Sequence, residues 1–195
     1  MDAWMWVVII AAIAALVIVA ASAAALYQQR DRKRSERLRG QFGPEYDRAV
    51  DEVGDRRRAE AKLEERRERV SRLRLREIPR DERRRLQDQW AAAQARFVDE
   101  PESAIDDACR LVDEAMRARG YPVGNDFDRQ SEDISVEYPY VVDNYRQAGR
   151  IMAARSDGDV STEDLRQAMV HYRALFTELL NTAGAPPAVE RPGRR

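Results

Sequence analysis

Few side chains in this 195-residue sequence are suited to act as nucleophiles, general bases or metal ligands. The chain contains a single histidine, His171, and a single cysteine, Cys109. A general base needs a positioned partner, and the spacing offers none for His171. Cys109 borders the apolar stripe of a predicted helix, where a free thiol usually behaves as a small hydrophobe. One copy of each residue excludes an internal disulfide and a multi-histidine metal site. We therefore predict no catalytic residue, no cofactor and no enzyme activity.

Carboxylates between residues 126 and 133 form the strongest candidate set of metal ligands. The set comprises Asp126, Asp128, Glu132 and Asp133. Carboxylate oxygens bind Mg²⁺ or Ca²⁺, so a metal-assisted hydrolase is one alternative function. The spacing does not fit a calcium-binding loop, and neither does that of residues 157–159. Turn and helix-capping roles are favoured for these residues, and we predict no metal site.

Runs of arginine between residues 56 and 85 raise the question of nucleic-acid binding. Acidic residues interrupt these runs throughout, and no exposed aromatic residues accompany them. Binding to a phosphate backbone needs an unbroken positive face, so a nucleic-acid tether is only an alternative. A solvated helix surface, or a seam of acidic and basic residues that binds a partner, is favoured.

An apolar segment near the start of the sequence would anchor any functional domain to a membrane. No residue from 3 to 29 is charged, and residues 4–27 predict a transmembrane helix. A helix of this length rises about 35 Å, enough to cross a hydrocarbon core of about 30 Å. Trp4, Trp6 and Tyr27 are expected at the two membrane interfaces, where amphipathic rings are favoured.

The segment that follows, residues 28–43, carries a basic cluster. Its members are Arg30, Arg32, Lys33, Arg34, Arg37 and Arg39. Because positive flanks stay in the cytoplasm, we predict that residues 1–3 lie outside the bacterial inner membrane and the C-terminal domain inside. The cluster should also attract anionic lipid headgroups. A cleaved signal peptide is the alternative, but a basic leading region is missing and the apolar run is long.

The rest of the chain predicts helices only, because no convincing alternation of period two appears. Residues 44–78, between two prolines, predict a long polar helix that acts as a stalk or weak coiled coil. Residues 79–183 predict a small helical bundle, in which 133–136 look extended or irregular. Residues 184–195 predict a disordered tail. The fold class is therefore all-α: a transmembrane helix, a long polar helix and a small bundle.

Four blocks of the sequence, residues 38–50, 94–101, 119–122 and 161–176, resemble a family of uncharacterised bacterial proteins. Members of that family carry one N-terminal membrane span. A composition of 32 arginines and only two lysines is typical of high-GC bacteria such as actinobacteria. The resemblance implies a membrane-anchored helical protein and transfers no catalytic residue.

The distribution of charge indicates a binding function. Residues 30–98 have a net charge of +7 and residues 99–195 a net charge of −7. Such halves attract each other, within one chain or between two. We therefore predict a cytoplasmic protein-interaction or scaffolding module, with a protein partner or a second copy. Exposed loops often carry function, so Tyr121, Asp126 and Asp133 are the predicted partner-binding surface.

Overall fold

The computed structural model describes residues 3–155, 158 and 160–181, and within those ranges it contains helices and no strands. The prediction of an all-α fold is confirmed. The helices are α1 (Ala3–Phe42), α2 (Pro44–Val53), α3 (Arg56–Ser71), α4 (Arg80–Arg96), α5 (Pro101–Arg119), α6 (Phe127–Glu137), α7 (Val142–Arg155) and α8 (Thr162–Leu180). The predicted tail, residues 184–195, lies outside the described residues, as do residues 1 and 2.

The chain consists of two compact units, Met1–Gln41 and Phe42–Arg195. From Ala3 onward the first unit is helical, and α1 includes both the uncharged segment and the basic cluster. In the part of the chain that the structure describes, no helix combines the length and apolar character needed to cross a bilayer.

The prediction of one long helix over residues 44–78 is wrong. Gly54 adopts a left-handed conformation, with φ of 71°, and ends α2. The carboxylate of Asp55 then accepts a hydrogen bond of 2.8 Å from the backbone N–H of Arg58 and starts α3. Glycine tolerates positive φ and aspartate is a strong N-cap residue, so the two together break the helix. Past Arg72 the chain is irregular as far as Pro79.

Helices α4, α5, α7 and α8 surround the apolar core of the second unit. Helix α8 packs against both α5 and α7, and α4 packs against α5. The fully buried residues include Leu86, Ile105, Val112, Met116, Leu175 and Leu179. Each such side chain contributes about 1.5–3 kcal/mol when it leaves water. Apolar burial is therefore the main source of stability in this part of the unit.

Helix α6 differs from the sequence prediction, which described residues 133–136 as extended or irregular. These residues are helical and buried. The helix begins because the Asp126 carboxylate accepts a hydrogen bond of 2.9 Å from the backbone N–H of Arg129. At its first position, Phe127 stacks on Tyr145 of α7, with ring centroids 4.6 Å apart. The capping role predicted for Asp126 is confirmed.

A tight backbone contact joins the end of α5 to the irregular segment before α4. Gly120 has φ of 97° and ends α5. A Cβ atom at this position would lie 2.6 Å from the carbonyl oxygen of Arg74. Next to it, the backbone N–H of Arg76 donates a 2.9 Å hydrogen bond to the carbonyl of Arg119. The segment is held in place because residue 120 has no side chain.

We expect Gly120→Ala to destabilise the protein by at least about 1–3 kcal/mol, because alanine is strained at positive φ and would collide with the Arg74 carbonyl. Gly124→Ala is the matched control, since nothing lies within 4 Å of the added Cβ and its φ is not positive. Chemical denaturation of the purified chain measures both free energies of unfolding. Equal losses for the two variants would contradict the role given to Gly120.

Candidate functional site

Six charged side chains from four helices form the most extensive polar arrangement described in the second unit, which we call the charged seam. They are Glu45 of α2, Arg66 and Arg69 of α3, Glu132 and Asp133 of α6, and Arg146 of α7. The seam joins residues that are as far as 101 positions apart in sequence. These ion pairs join the hairpin of α2 and α3 to α6 and α7.

Glu45 is the centre of the charged seam. Its carboxylate is only 2% exposed, and it lies in the first turn of α2, where the helix dipole favours negative charge. Arg146 donates two hydrogen bonds to it, of 2.7 and 2.8 Å, in the bidentate geometry that makes such pairs strong. Arg66 donates a third, of 3.0 Å. A buried carboxylate with three such bonds has its desolvation largely compensated.

The second half of the seam joins α3 to α6. Arg66 donates to Glu132 at 2.9 Å, and Arg69 donates to Glu132 at 2.9 Å and to Asp133 at 2.6 Å. Burial opposes the charged form of Arg69, but the hydrogen bonds and charges of Asp133 and Glu132 outweigh it and raise the arginine pKa. Basic residues before position 99 thus pair with acidic residues after it, within one chain.

Two clefts flank the charged seam. The first, of about 360 Å³, lies between α3 and α6. It includes the exposed side chains of Lys62, Asp128 and Arg129 beside Arg66 and Glu132. The second, of about 330 Å³, lies between α2, α6 and α7 and is lined by Arg48, Phe127, Asp143, Arg146 and Arg150, among others. Both clefts present cations and anions together, a surface suited to a charged partner.

The predicted partner-binding surface is mostly wrong. Asp126 is exposed, but Tyr121 and Asp133 are each only 3% exposed. Tyr121 is buried because the turn at Gly120 directs the chain into the core, and its burial raises the pKa of the phenol. Asp133 is buried because α6 places it against Arg69. Neither residue is free to meet a partner.

The alternative of a metal site at residues 126–133 finds no support in the geometry. Asp126 caps α6, while Glu132 and Asp133 accept hydrogen bonds from arginines. Among the described residues, no group of three histidine, cysteine or acidic side chains is arranged to hold a metal ion.

His171 and Cys109 have local packing roles. The Nδ1 atom of His171 lies 2.9 Å from the side-chain oxygen of Asn144, a contact between α8 and α7. Burial raises the pKa of the Cys109 thiol, although a hydrogen bond with Tyr172 partly opposes that rise. A thiol with a raised pKa is a poor nucleophile. The arrangement around each residue fits a structural role.

The residues predicted to contact a membrane lie in the first unit. All six members of the basic cluster are exposed. Trp4 is 76% exposed and Tyr27 is 71% exposed, while the side chain of Trp6 lies outside the described residues. Exposure on this helix is compatible with contact to lipid and headgroups.

Sequence reasoning missed Glu45, Arg66 and Arg146. One signal for Arg66 was present: Ala59, Leu63 and Val70 recur at helical spacing and are buried, and Arg66 lies on the same face of α3. An arginine on an apolar helix face implies a buried acidic partner. No comparable signal identifies Glu45 as that partner.

The chain matches no protein-family model, no curated protein and no solved structure. The resemblance carried by the four sequence blocks therefore stays a prediction.

We expect Glu45→Gln to lower the free energy of unfolding by about 3–5 kcal/mol, because it removes the charge that pairs with the buried Arg66 and the partly buried Arg146. Glu68→Gln is the matched control: Glu68 pairs with Arg72 across the exposed surface of α3, and such a pair contributes about 0.3–0.5 kcal/mol. Urea unfolding followed by circular dichroism measures both. A loss for Glu45→Gln as small as that of the control would show that the seam does not hold the hairpin.

Proposed function

We propose that this chain is a single-pass bacterial inner-membrane protein whose cytoplasmic helical domain acts as a protein-interaction or scaffolding module. The observation that carries the proposal is the continuity of α1, which extends without a break from an uncharged segment into a basic one.

The proposed spanning segment is the uncharged part of α1. Residues 3–29 contain no charge, and a helix of that length rises about 40 Å. A helix satisfies its own backbone hydrogen bonds, which is what lipid demands of a spanning segment. The exposed rings of Trp4 and Tyr27 mark the two ends, as expected for side chains at membrane interfaces.

The basic cluster supports the orientation. Its six exposed cations follow the uncharged segment directly, whereas Asp2 is the only charged side chain before it. Basic flanks remain in the cytoplasm, which directs residues 30–195 inward. Each basic residue near the surface adds about 1 kcal/mol of attraction to anionic lipids.

A binding role for the second unit is supported by its two charged clefts. Their exposed side chains of both signs suit a protein surface with complementary charges, since electrostatic complementarity favours specific association. Anchoring to a membrane would also raise the effective concentration of the domain for another membrane-bound partner. Such a partner, or a second copy of this chain, is the proposed ligand.

We expect a cysteine at position 2 to react with a membrane-impermeant maleimide in intact spheroplasts, and a cysteine at position 98 to react only after lysis. Both variants, Asp2→Cys and Val98→Cys, are made in a Cys109→Ser background, and Val98 is 86% exposed. The background variant without an added cysteine is the control. If the cysteine at position 98 reacted in intact spheroplasts, the true topology would be the reverse of the proposed one. Recovery of a mature chain in the medium that begins near residue 24 would instead show a cleaved signal peptide.

The interaction role predicts discrete photo-crosslinks at the first cleft. A photoreactive amino acid at Lys62 or Asp128, both exposed, should give a defined adduct in cells, because a bound partner lies within reach. The same amino acid at Arg84, exposed on α4 away from both clefts, is the control. Gel electrophoresis and mass spectrometry identify the adduct. Cleft positions that give no adduct, or only those seen at Arg84, would contradict the proposed site.

A further inference from the structure

The α2–α3 hairpin has buried apolar residues of its own, which are separate from the apolar core of the bundle. Among the described residues, the members of that core and the apolar side chains packed against it all lie at or after Leu73. Tyr46 of α2 and Leu63 and Val70 of α3 are buried, but they do not belong to this core. The apolar packing that joins α4, α5, α7 and α8 therefore does not extend into the hairpin.

The two helices of the hairpin hold each other. Helix α2 packs against α3. The hydroxyl of Tyr46 donates a buried hydrogen bond of 2.8 Å to the carboxylate of Glu60, which joins the two helices directly. The turn between them is formed by Gly54 and by the capping carboxylate of Asp55. None of these contacts uses a residue of the bundle, so separation of the hairpin from the bundle leaves them intact.

The chain leaves helical geometry at both ends of the hairpin. Gly43 precedes α2 with φ of 47°, a conformation that glycine adopts readily. After Ser71 the chain is irregular, and it is fixed to the bundle again where the backbone N–H of Arg76 donates to the carbonyl of Arg119. A change of backbone angles between Ser71 and Arg76 would therefore move α3 without disturbing the bundle.

The ion pairs of the charged seam oppose such a movement only weakly. When the hairpin separates, both partners of each pair return to water together, and their hydration offsets much of the attraction that is lost. Separation of α5 from α8 would instead expose apolar side chains such as Val112 and Leu175, and no hydration compensates for that exposure. Opening of the hairpin therefore requires less free energy than unfolding of the bundle, as in other proteins whose parts open separately.

We propose that the α2–α3 hairpin is a movable unit, which the charged seam locks onto α6 and α7 and which separates as one body while α4, α5, α7 and α8 stay folded. Separation exposes Arg66 of α3 and Asp133 of α6, which are buried in the docked state. The inference goes beyond the proposed function and does not depend on membrane anchoring.

Hydrogen exchange of the full chain in detergent micelles tests the order of opening. After correction for intrinsic rates, the backbone amides of α2 and α3 should exchange at least about ten-fold faster than those of α5 and α8 and should share one opening free energy. Equal opening free energies for α3, α5 and α8 would overturn the proposal. Rates that rise only towards the end of each helix, without a shared value for the hairpin, would overturn it as well.

Distances between spin labels test whether the hairpin moves as one body. Pairs of nitroxide labels are attached to cysteines in a Cys109→Ser background, at positions that are all exposed: Asp51→Cys, Lys62→Cys, Arg84→Cys and Arg173→Cys. The pair at 51 and 62 lies within the hairpin, and the pair at 84 and 173 lies within the bundle. The pair at 62 and 84 joins the two.

Glu45→Gln should add a longer component to the distance distribution between positions 62 and 84 and leave the other two distributions unchanged. Glu132→Gln alters a partly exposed carboxylate of the seam, and it decides the result if Glu45→Gln unfolds the chain. Glu68→Gln, at an exposed pair outside the seam, is the control and should change none of the three. The proposal is wrong if the deciding variant leaves the distribution between 62 and 84 unchanged, or if all three distributions broaden together.

Discussion

The placement of the α2–α3 hairpin depends on one buried carboxylate. Glu45 accepts hydrogen bonds from Arg66 and Arg146, which lie 21 and 101 residues away in sequence. A buried ion pair adds little net stability, because its attraction only offsets the loss of hydration. It does penalise every arrangement in which one partner remains buried alone. The charged seam therefore fixes where the hairpin docks more than it strengthens the fold.

The second unit is thus held together by two kinds of interaction, apolar packing and ion pairs. Around α8, close packing of apolar side chains excludes water, and that contribution changes little with salt. The hairpin buries fewer apolar side chains, mainly Tyr46, Ala49, Ala59, Leu63 and Val70, and adds the charged seam. The outer pairs of the seam, such as Arg69 with the partly exposed Glu132, are more open to screening. Salt should therefore weaken these outer pairs more than the buried pairs of Glu45 with Arg66 and Arg146.

The ends of several helices follow from local chemistry. Pro101 and Gly120 lie at the two ends of α5, as their backbone preferences require, and Ser161 forms a capping box with Asp164 at the start of α8. A similar signal is present at Gly54 and Asp55, although residues 44–78 were predicted to form one helix. Gly54 ends α2, and the capping aspartate that follows it starts α3. Local chemistry of this kind needs no knowledge of the tertiary structure.

Long-range chemistry was not predictable in the same way. The sequence predicts that Asp133 is exposed, because aspartate is seldom buried. Its burial is compensated by the hydrogen bond and charge of Arg69. Residues 133–136 lack a strong helical pattern because α6 is covered on more than one side, which removes the contrast between faces. The opposite charges of the two halves did indicate mutual attraction, but not which residues would meet.

Docking of the hairpin and the proposed binding in the first cleft would use the same side chains. Arg66 and Glu132 belong to the charged seam and also line that cleft. A charged partner that pairs with either residue competes with a bond that holds α3 to α6. By linkage, whatever loosens the hairpin would then alter the affinity of the proposed partner for the cleft, and a bound partner would alter the hairpin in return. The charged seam positions the hairpin, and the same seam would make the position of the hairpin sensitive to a ligand.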